Sequence, residues 1–563
     1  MTLSPSSKFA ATLVSSLVVL LSSLAAAQFK IGSENTAFAD PPVARPRGTP
    51  CKVELYKGFT FNDFNPRSFT YTPLAACPGP WAKVILEADF SVTKGIQFDR
   101  TANIWIGPVN VYFGTTSEPD PDNGRRWHVE RDLTDYSSIF TTAQQGTVDL
   151  GNEVNQTYTG VYHGAATLLL YPVAQGQTAP ETADQVIAFS GGATGGTVGL
   201  NSGTDLLAET VTLPQNIRSV FFDVFAQSQN DDEFWYTCVP NDVANELESC
   251  PGTAFRESEV TIDGTPAGVA PIYPWVYTGG IDPFLWIPIP GVQTLNFKPY
   301  RVNLTPFASL LDDGQPHTIA VSVFNANDYF SATASLLLYL DHNATQLSGG
   351  ITQNTLTVPN PTIKESIHVG KTGNVTGSVT TRSGHNFQIT GYINTPSGPV
   401  TTTVAQNINF SSIESFKINN TEYVQNIVQN TTVKSVVTTN GPGGKNINKV
   451  NHNWPFDMNI TVVANPDGSE AQTTTSNQYF QTDQQATHNK LATTFSLLQN
   501  RVTTTDTLNF NSGGGFTGNS GQASAQKYFQ SNSTGYCFSR ALTAEANALT
   551  SVTDGVGCSG GKN

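Results

Sequence analysis

Apolar and polar residues alternate with a two-residue period along most of the first 345 positions, which leaves few folds open to the chain. Val84, Leu86, Ala88 and Phe90 share one face of an extended segment, with Ile85, Glu87 and Asp89 on the other, and Ile319, Val321 and Val323 repeat the pattern further on. Side chains of a strand point alternately to opposite faces, so each such run reads as a strand with one dry face. Clusters of turn formers such as Glu118-Pro119-Asp120-Pro121-Asp122-Asn123-Gly124 separate the runs, and no convincing amphipathic helix interrupts them. The expected fold class is all-β. Charged residues make up only 13% of the chain, while 38% hydrophobic residues are enough for substantial cores, which argues against global disorder.

A duplication sharpens this expectation. Asp132-Leu133-Thr134-Asp135-Tyr136-Ser137-Ser138-Ile139-Phe140 parallels Asn303-Leu304-Thr305-Pro306-Phe307-Ala308-Ser309-Leu310-Leu311. Leu168-Leu169-Leu170-Tyr171 parallels Leu336-Leu337-Leu338-Tyr339 at nearly the same spacing, and Val84 to Ala88 pairs with Val220 to Val224. Two similar units side by side follow, and eight-stranded jelly-roll β-sandwiches suit their length. They are expected near residues 46–205 and 206–345, with a ligand cleft between them. From 346 to 563 the texture turns to Thr, Asn, Gln, Ser and Gly with alternating stretches, the mark of a third β-rich region.

Lys8, an apolar and serine-containing run from Ala10 to Leu24, and the small residues Ala25-Ala26-Ala27 read as a cleavable signal peptide over 1–27, followed by a linker over 28–45. A secreted or extracellular protein is expected, the vacuole and cell wall included. Six cysteines fall as near neighbours, Cys51 with Cys77, Cys238 with Cys250 and Cys537 with Cys558. Of the fifteen or so pairings open to six cysteines, bridges between these neighbours suit an oxidising compartment. Sequons at Asn155, Asn303, Asn343, Asn374, Asn409, Asn419, Asn430, Asn459 and Asn532 mark glycosylation candidates. Acidic residues outnumber basic ones 44 to 29, a net charge of −15 that disfavours nucleic acid and anionic membranes as partners.

No nucleophile elbow, Walker loop, dinucleotide fingerprint or zinc-binding spacing is present, so neither a metal nor an organic cofactor is expected. The chemistry-bearing residues are carboxylates beside aromatics. Asp99 and Arg100 precede the strand with Trp105, Glu118 follows a strand later, and Asp231, Asp232 and Glu233 precede Trp235. Neighbouring acids raise one another's pKa values, and tryptophan faces suit the apolar faces of sugars. The bland alternative makes Asp99 and Arg100 an ion pair, the aspartates turn caps and Trp235 core. His163 is a weaker rival base.

The segments FDRTANIWIG, TTSEP, NDDEFWY, LTPFASLL and YHGAATLLLYP resemble the peptide-N-glycosidase A family, secreted glycoprotein amidases, over roughly residues 50 to 345. The resemblance implies paired jelly rolls, an N-glycopeptide or N-glycoprotein substrate, and hydrolysis of the asparagine side-chain amide that bears the glycan. It places catalytic acids at Asp99, Glu118 and Glu233. Asp99 is expected to act as base, with Arg100 steadying it or the oxyanion, while Glu118 and Glu233 bind the first N-acetylglucosamine or supply the proton. Trp105, Asp232 and Trp235 are expected to bind substrate. A carboxylate base of near-normal pKa implies an acidic optimum. A glycosidase cutting within the glycan core, or a non-catalytic glycan-binding or cell-wall glycoprotein, remains open on these residues.

Overall fold

A computed structural model describes residues 29–558; the expected signal peptide lies outside the described residues. The first unit contains β1 (Cys51–Phe61), β2 (Arg67–Tyr71), β3 (Trp81–Val92), β4 (Thr101–Ile106), β5 (Val109–Thr115), β6 (Arg125–Asp132), β7 (Gln144–Asp149) and β8 (Tyr162–Pro172). They form two four-stranded antiparallel sheets, β1-β8-β3-β6 and β2-β7-β4-β5. Val84, Leu86 and Leu168 of one sheet and Ile104, Val111 and Val148 of the other close a single core. The alternation read in β3 is thus the division between core and outer face, although Ile85 is buried too, against Leu169 and Tyr171.

The second unit contains β9 (Gln185–Phe189), β10 (Val198–Leu200), β11 (Leu207–Val211), β12 (Ile217–Gln229), β13 (Glu257–Ile262), β14 (Thr265–Pro271), β15 (Tyr300–Asn303), β16 (His317–Phe324) and β17 (Tyr329–Leu340). Its sheets run β10-β17-β12-β15 and β11-β16-β13-β14, with β9 also paired to β17. β9 meets residues 334–338 of β17 and β10 meets residues 330–332, so the two act as one interrupted edge strand. Counted that way, the second unit repeats the strand order of the first. The three sequence parallels fall on equivalent places: β3 and β12, the ends of β6 and β15, and β8 and β17. The boundary near 205 needs correction, because residues 185–200 pair with β17 and belong to the second unit.

The Thr- and Asn-rich remainder forms one antiparallel sheet of eleven strands between Ser348 and Asp554 among the described residues. Tight turns such as Asn489-Lys490 (φ 48° and 70°) and Ala546-Asn547 (φ 48° and 64°) have both central residues left-handed, as two-residue hairpins require. One face of this sheet lays Phe410, Trp454 and Phe456 against Trp235, Tyr273 and Tyr236 of the second unit. Among further apolar residues of that face, such as Ile408, Ile427 and Val502, lie amides and hydroxyls with a definite task. Between β14 and β15 the chain runs through residues 272–299 with no strand, so its backbone groups need partners elsewhere. The sheet supplies several of them. Gln478 accepts from the Val292 N–H at 2.8 Å, Gln522 donates to the Ile287 carbonyl at 2.8 Å, and Thr504 donates to that of Leu285 at 2.7 Å. On its other side the same segment meets the first unit, where Tyr112 donates to the Leu295 carbonyl at 2.6 Å and Arg131 to that of Phe297 at 2.8 Å.

The stretch after the expected signal peptide is not a free linker. Ala37 and Ala39 are fully buried, the Ala39 N–H reaches Gln526 at 2.6 Å, and Thr36 bonds Ser117 at 2.8 Å. Three disulfides join Cys51 to Cys77, Cys238 to Cys250 and Cys537 to Cys558, the neighbour pairing read from the sequence. No helix among the described residues is long and apolar enough to cross a membrane. Of the sequon asparagines, Asn155, Asn343, Asn374 and Asn409 are exposed; Asn303, Asn419, Asn430, Asn459 and Asn532 are half-buried, and Asn430 gives its amide to Asn453.

Candidate active site

Asp99 and Arg100 end the loop between β3 and β4, and Glu118 lies just past β5. The two loops are tied together at Arg100 and Thr116: Arg100 N–H donates to the Thr116 side-chain Oγ1 at 2.8 Å, and Thr116 N–H to the Arg100 carbonyl at 2.9 Å. Beneath them the buried Tyr162 hydroxyl takes a hydrogen bond from Thr116 Oγ1 and gives one to the Phe98 carbonyl. This frame sets Asp99 N–H 2.9 Å from Glu118 Oε1, and the two carboxyl groups also share a hydrogen bond.

The second unit closes the site with equivalent loops. Glu233 follows β12 as Asp99 follows β3, and Gly279 follows β14 as Glu118 follows β5. Thr278 donates to the Thr116 carbonyl at 2.7 Å across the junction, and Gln227 bonds Thr101 at 3.0 Å. The Gly279 N–H donates to the Asp99 carboxylate. Gly279 itself sits against the acid pair: a Cβ built there would lie 2.8 Å from Asp99 Oδ1 and closer still to Glu118 Oε1.

Burial sets the electrostatics. It is the largest cause that raises Asp99, to about 6, against the hydrogen bond from Gly279 and the adjacent Arg100 charge, which pull it down. Burial and the charge of Asp99 together raise Glu118 to about 8, and the same two causes raise Glu233 to about 8. The charge of Asp99 thus contributes to raising both glutamates. Near neutral pH the arrangement offers one ionised carboxylate beside two protonated ones. The expectation of a near-normal base pKa is corrected accordingly, since a carboxylate removed from water resists ionisation.

Three residues expected to bind substrate are placed elsewhere. Trp105 is 1% exposed, its indole under Gly195, and Trp235 is 1% exposed between Tyr236 and Phe410. Neither ring presents a face to a sugar. Asp232 is fully buried: its carboxylate holds Arg256 at 2.8 Å and accepts the Asn327 and Asp328 N–H groups at 2.8 and 2.9 Å. It fixes the turn that carries Glu233 rather than touching a ligand. Arg100 stays in the site, with a guanidinium nitrogen on Gln97 Oε1 at 2.9 Å. His163 bonds Thr60 across β1 and β8. Among the described residues, Glu87, His128 and Glu130 have ligand-like spacing, but Arg45 bridges both glutamates at 2.7 Å. Sequence reasoning missed Gly279, Thr116 and Tyr162. The Gly279-Gly280 pair inside an aromatic stretch was the available signal for a close approach.

The family model described as peptide N-acetyl-beta-D-glucosaminyl asparaginase amidase A matches residues 41–357. The chain belongs to this family. Within that amidase A family it is similar to peptide-N4-(N-acetyl-beta-glucosaminyl)asparagine amidase A of Prunus dulcis, 29% identical over 396 residues, 66% of this chain and 67% of that protein. Among solved structures, PNGase F, a glycosylasparaginase from Flavobacterium meningosepticum, aligns at 12% identity over 52% of this chain and 96% of its own, with a TM-score of 0.34. PNGF-II aligns at 11% identity over 52% and 66%, with a TM-score of 0.38. The amidase A match spans both sandwiches and every acid of the site, and ends as the long-stranded sheet begins.

Proposed function

We propose that this chain hydrolyses the side-chain amide of N-glycosylated asparagine in glycopeptides or glycoproteins, releasing the glycan as a glycosylamine and leaving aspartate. Membership of the family supports the reaction class. The observation that carries the reading is the meeting of Asp99, Glu118 and Glu233 at the junction of the two sandwiches, with their proton affinities set apart. Amide hydrolysis needs a group to accept a proton from water and another to give one to the leaving nitrogen. Asp99, lowest of the three and favoured in its ionised form by Arg100 and Gly279, takes the proton as water attacks the amide carbon. When the carbon–nitrogen bond breaks, Glu233 or Glu118 protonates the departing glycosylamine nitrogen, and the carboxyl that remains is the aspartate product. The glutamate not used as acid is free to hold the first N-acetylglucosamine. The reading also places the protein in the secretory route, which the three disulfides favour.

Incubation with a short N-glycopeptide near pH 6, followed by the mass of the peptide, tests the reaction. A sugar-free peptide carrying aspartate is expected. A peptide retaining one N-acetylglucosamine on asparagine identifies a glycosidase instead, and unchanged glycopeptide identifies a binding protein.

A further inference from the structure

We infer that a cavity of about 460 Å³ beside Glu233 is a carbohydrate subsite, which takes neutral sugars of the glycan beyond the one attached to asparagine. The inference rests on the amidase reading and extends it to the third sheet. The cavity lies between the turn that carries Glu233 and the long-stranded sheet: Asn230, Asp231 and Ile281 form one wall, Tyr423 and Ile460 the other. Asp231 is two residues from Glu233 and Ile281 two from Gly279, so each pair of Cα atoms is within about 7.6 Å. A glycan whose first sugar occupies the acid cluster therefore has its next residues within reach of this space, and the volume is in the range of small-ligand sites.

Three further observations name the ligand chemistry. Among the described residues no lysine or arginine lines the cavity, while Asp231 and Glu248 do, which repels phosphate, sulfate and carboxylate groups. Tyr423 contributes an aromatic ring to the lining and Asn230 and Asn327 contribute amides, the pairing of apolar face and donor–acceptor groups that suits a sugar ring and its hydroxyls. Asn230 (φ 49°), Glu248 (φ 48°) and Ile281 (φ 67°) are all left-handed, and a β-branched residue such as Ile281 rarely adopts that conformation. Strain of this kind is held where the shape of a site requires it.

Two variants test the inference: Tyr423→Ala removes the ring, and Ile460→Trp fills the space. Each is assayed on one peptide carrying either a complete branched N-glycan or only its innermost N-acetylglucosamine. The expected result is a KM for the complete glycan raised about tenfold in both variants, with kcat and the short-glycan kinetics within about twofold of the unaltered protein. Equal losses on both substrates, no loss on either, or a dependence on peptide length instead of glycan size would overturn the subsite. If the unaltered protein turns over neither glycopeptide, the amidase reading fails. A reduced, free N-glycan then decides the subsite by titration: binding lost in both variants supports it, and no binding to the unaltered protein overturns it.

Discussion

Gly279→Ala examines the junction more sharply than removal of an acid, because it leaves every charge in place. The added methyl carbon would stand 2.8 Å from Asp99 Oδ1 and nearer to Glu118 Oε1, where comfortable contact needs about 3.5 Å. Gly279 is not in the left-handed region, so the backbone itself accepts alanine, and the damage is confined to the contact. At least one carboxyl must move by about 0.7 Å or more, and the Thr278 hydrogen bond to Thr116 stops the loop from backing away freely. A displacement of that size in a reacting group costs roughly 10- to 100-fold in rate. The assay is kcat on a short N-glycopeptide, with thermal unfolding in parallel and Gly280→Ala as the control. A methyl at Gly280 meets Val276 at 3.1 Å, the Tyr277 carbonyl oxygen at 3.2 Å and Phe234 at 3.4 Å as its nearest atoms, none of them a carboxylate, so its effect on kcat should be several-fold smaller. If Gly279→Ala keeps kcat within about twofold, the loop does not press on the acid pair and the described geometry is wrong.

Asp99→Asn should lower kcat by roughly 10²- to 10⁴-fold while glycan binding, followed by titration, persists; retained turnover would remove Asp99 from the role of base. The rate profile of kcat/KM should be bell-shaped, rising as Asp99 ionises near pH 6 and falling as the glutamates lose protons near pH 8. Arg100→Met should shift the rising limb to higher pH, because the guanidinium charge lowers the Asp99 pKa; an unmoved limb would contradict this. Folding stability gives the opposite view of Glu233. Its folded pKa of about 8 exceeds the ordinary 4.5, so the folded chain keeps a proton that the unfolded chain releases, and stability falls as pH rises from about 4.5 to 8. Glu233→Gln should therefore raise the melting temperature at pH 8 and hardly at pH 4.5 by calorimetry, and an equal change at both would refute the linkage. Asp232→Ala leaves Arg256 and two backbone N–H groups buried without their partner, at a cost of about 3–5 kcal/mol in denaturant unfolding. A loss below about 1 kcal/mol would count against that role.

Strand character was legible wherever one face is dry, and the duplication was legible because β3, β8 and their counterparts keep similar apolar strings for similar core positions. The acids were legible as charged residues at strand ends. What misled was the aromatics. A tryptophan near a carboxylate serves a core as readily as a sugar site, and Trp105 and Trp235 serve the core. Asp232 is told apart from Glu233 by Arg256, 24 residues onward, and by the Asn327 and Asp328 N–H groups, partners that local sequence does not reveal. The Gln- and Thr-rich tail resembles a solvated stalk in composition, yet Gln478, Gln522 and Thr504 are buried to satisfy a strandless segment nearly two hundred residues or more earlier. Residues 185–200 were assigned to the wrong unit because an edge strand interrupted by Gly191, Gly192, Gly195 and Gly196 reads as loop.

The loop after β3 carries Asp99 just before β4, and the connection after β12 carries Glu233 shortly after that strand ends. A faithfully repeated pair would be degenerate: twin groups of equal proton affinity cannot divide the work of accepting and donating. Here the copies diverge at the very next residue, Arg100 after Asp99 and Phe234 after Glu233. In the proposed hydrolysis, which group accepts a proton and which gives one follows from these companions, a guanidinium beside one acid and an apolar ring beside the other.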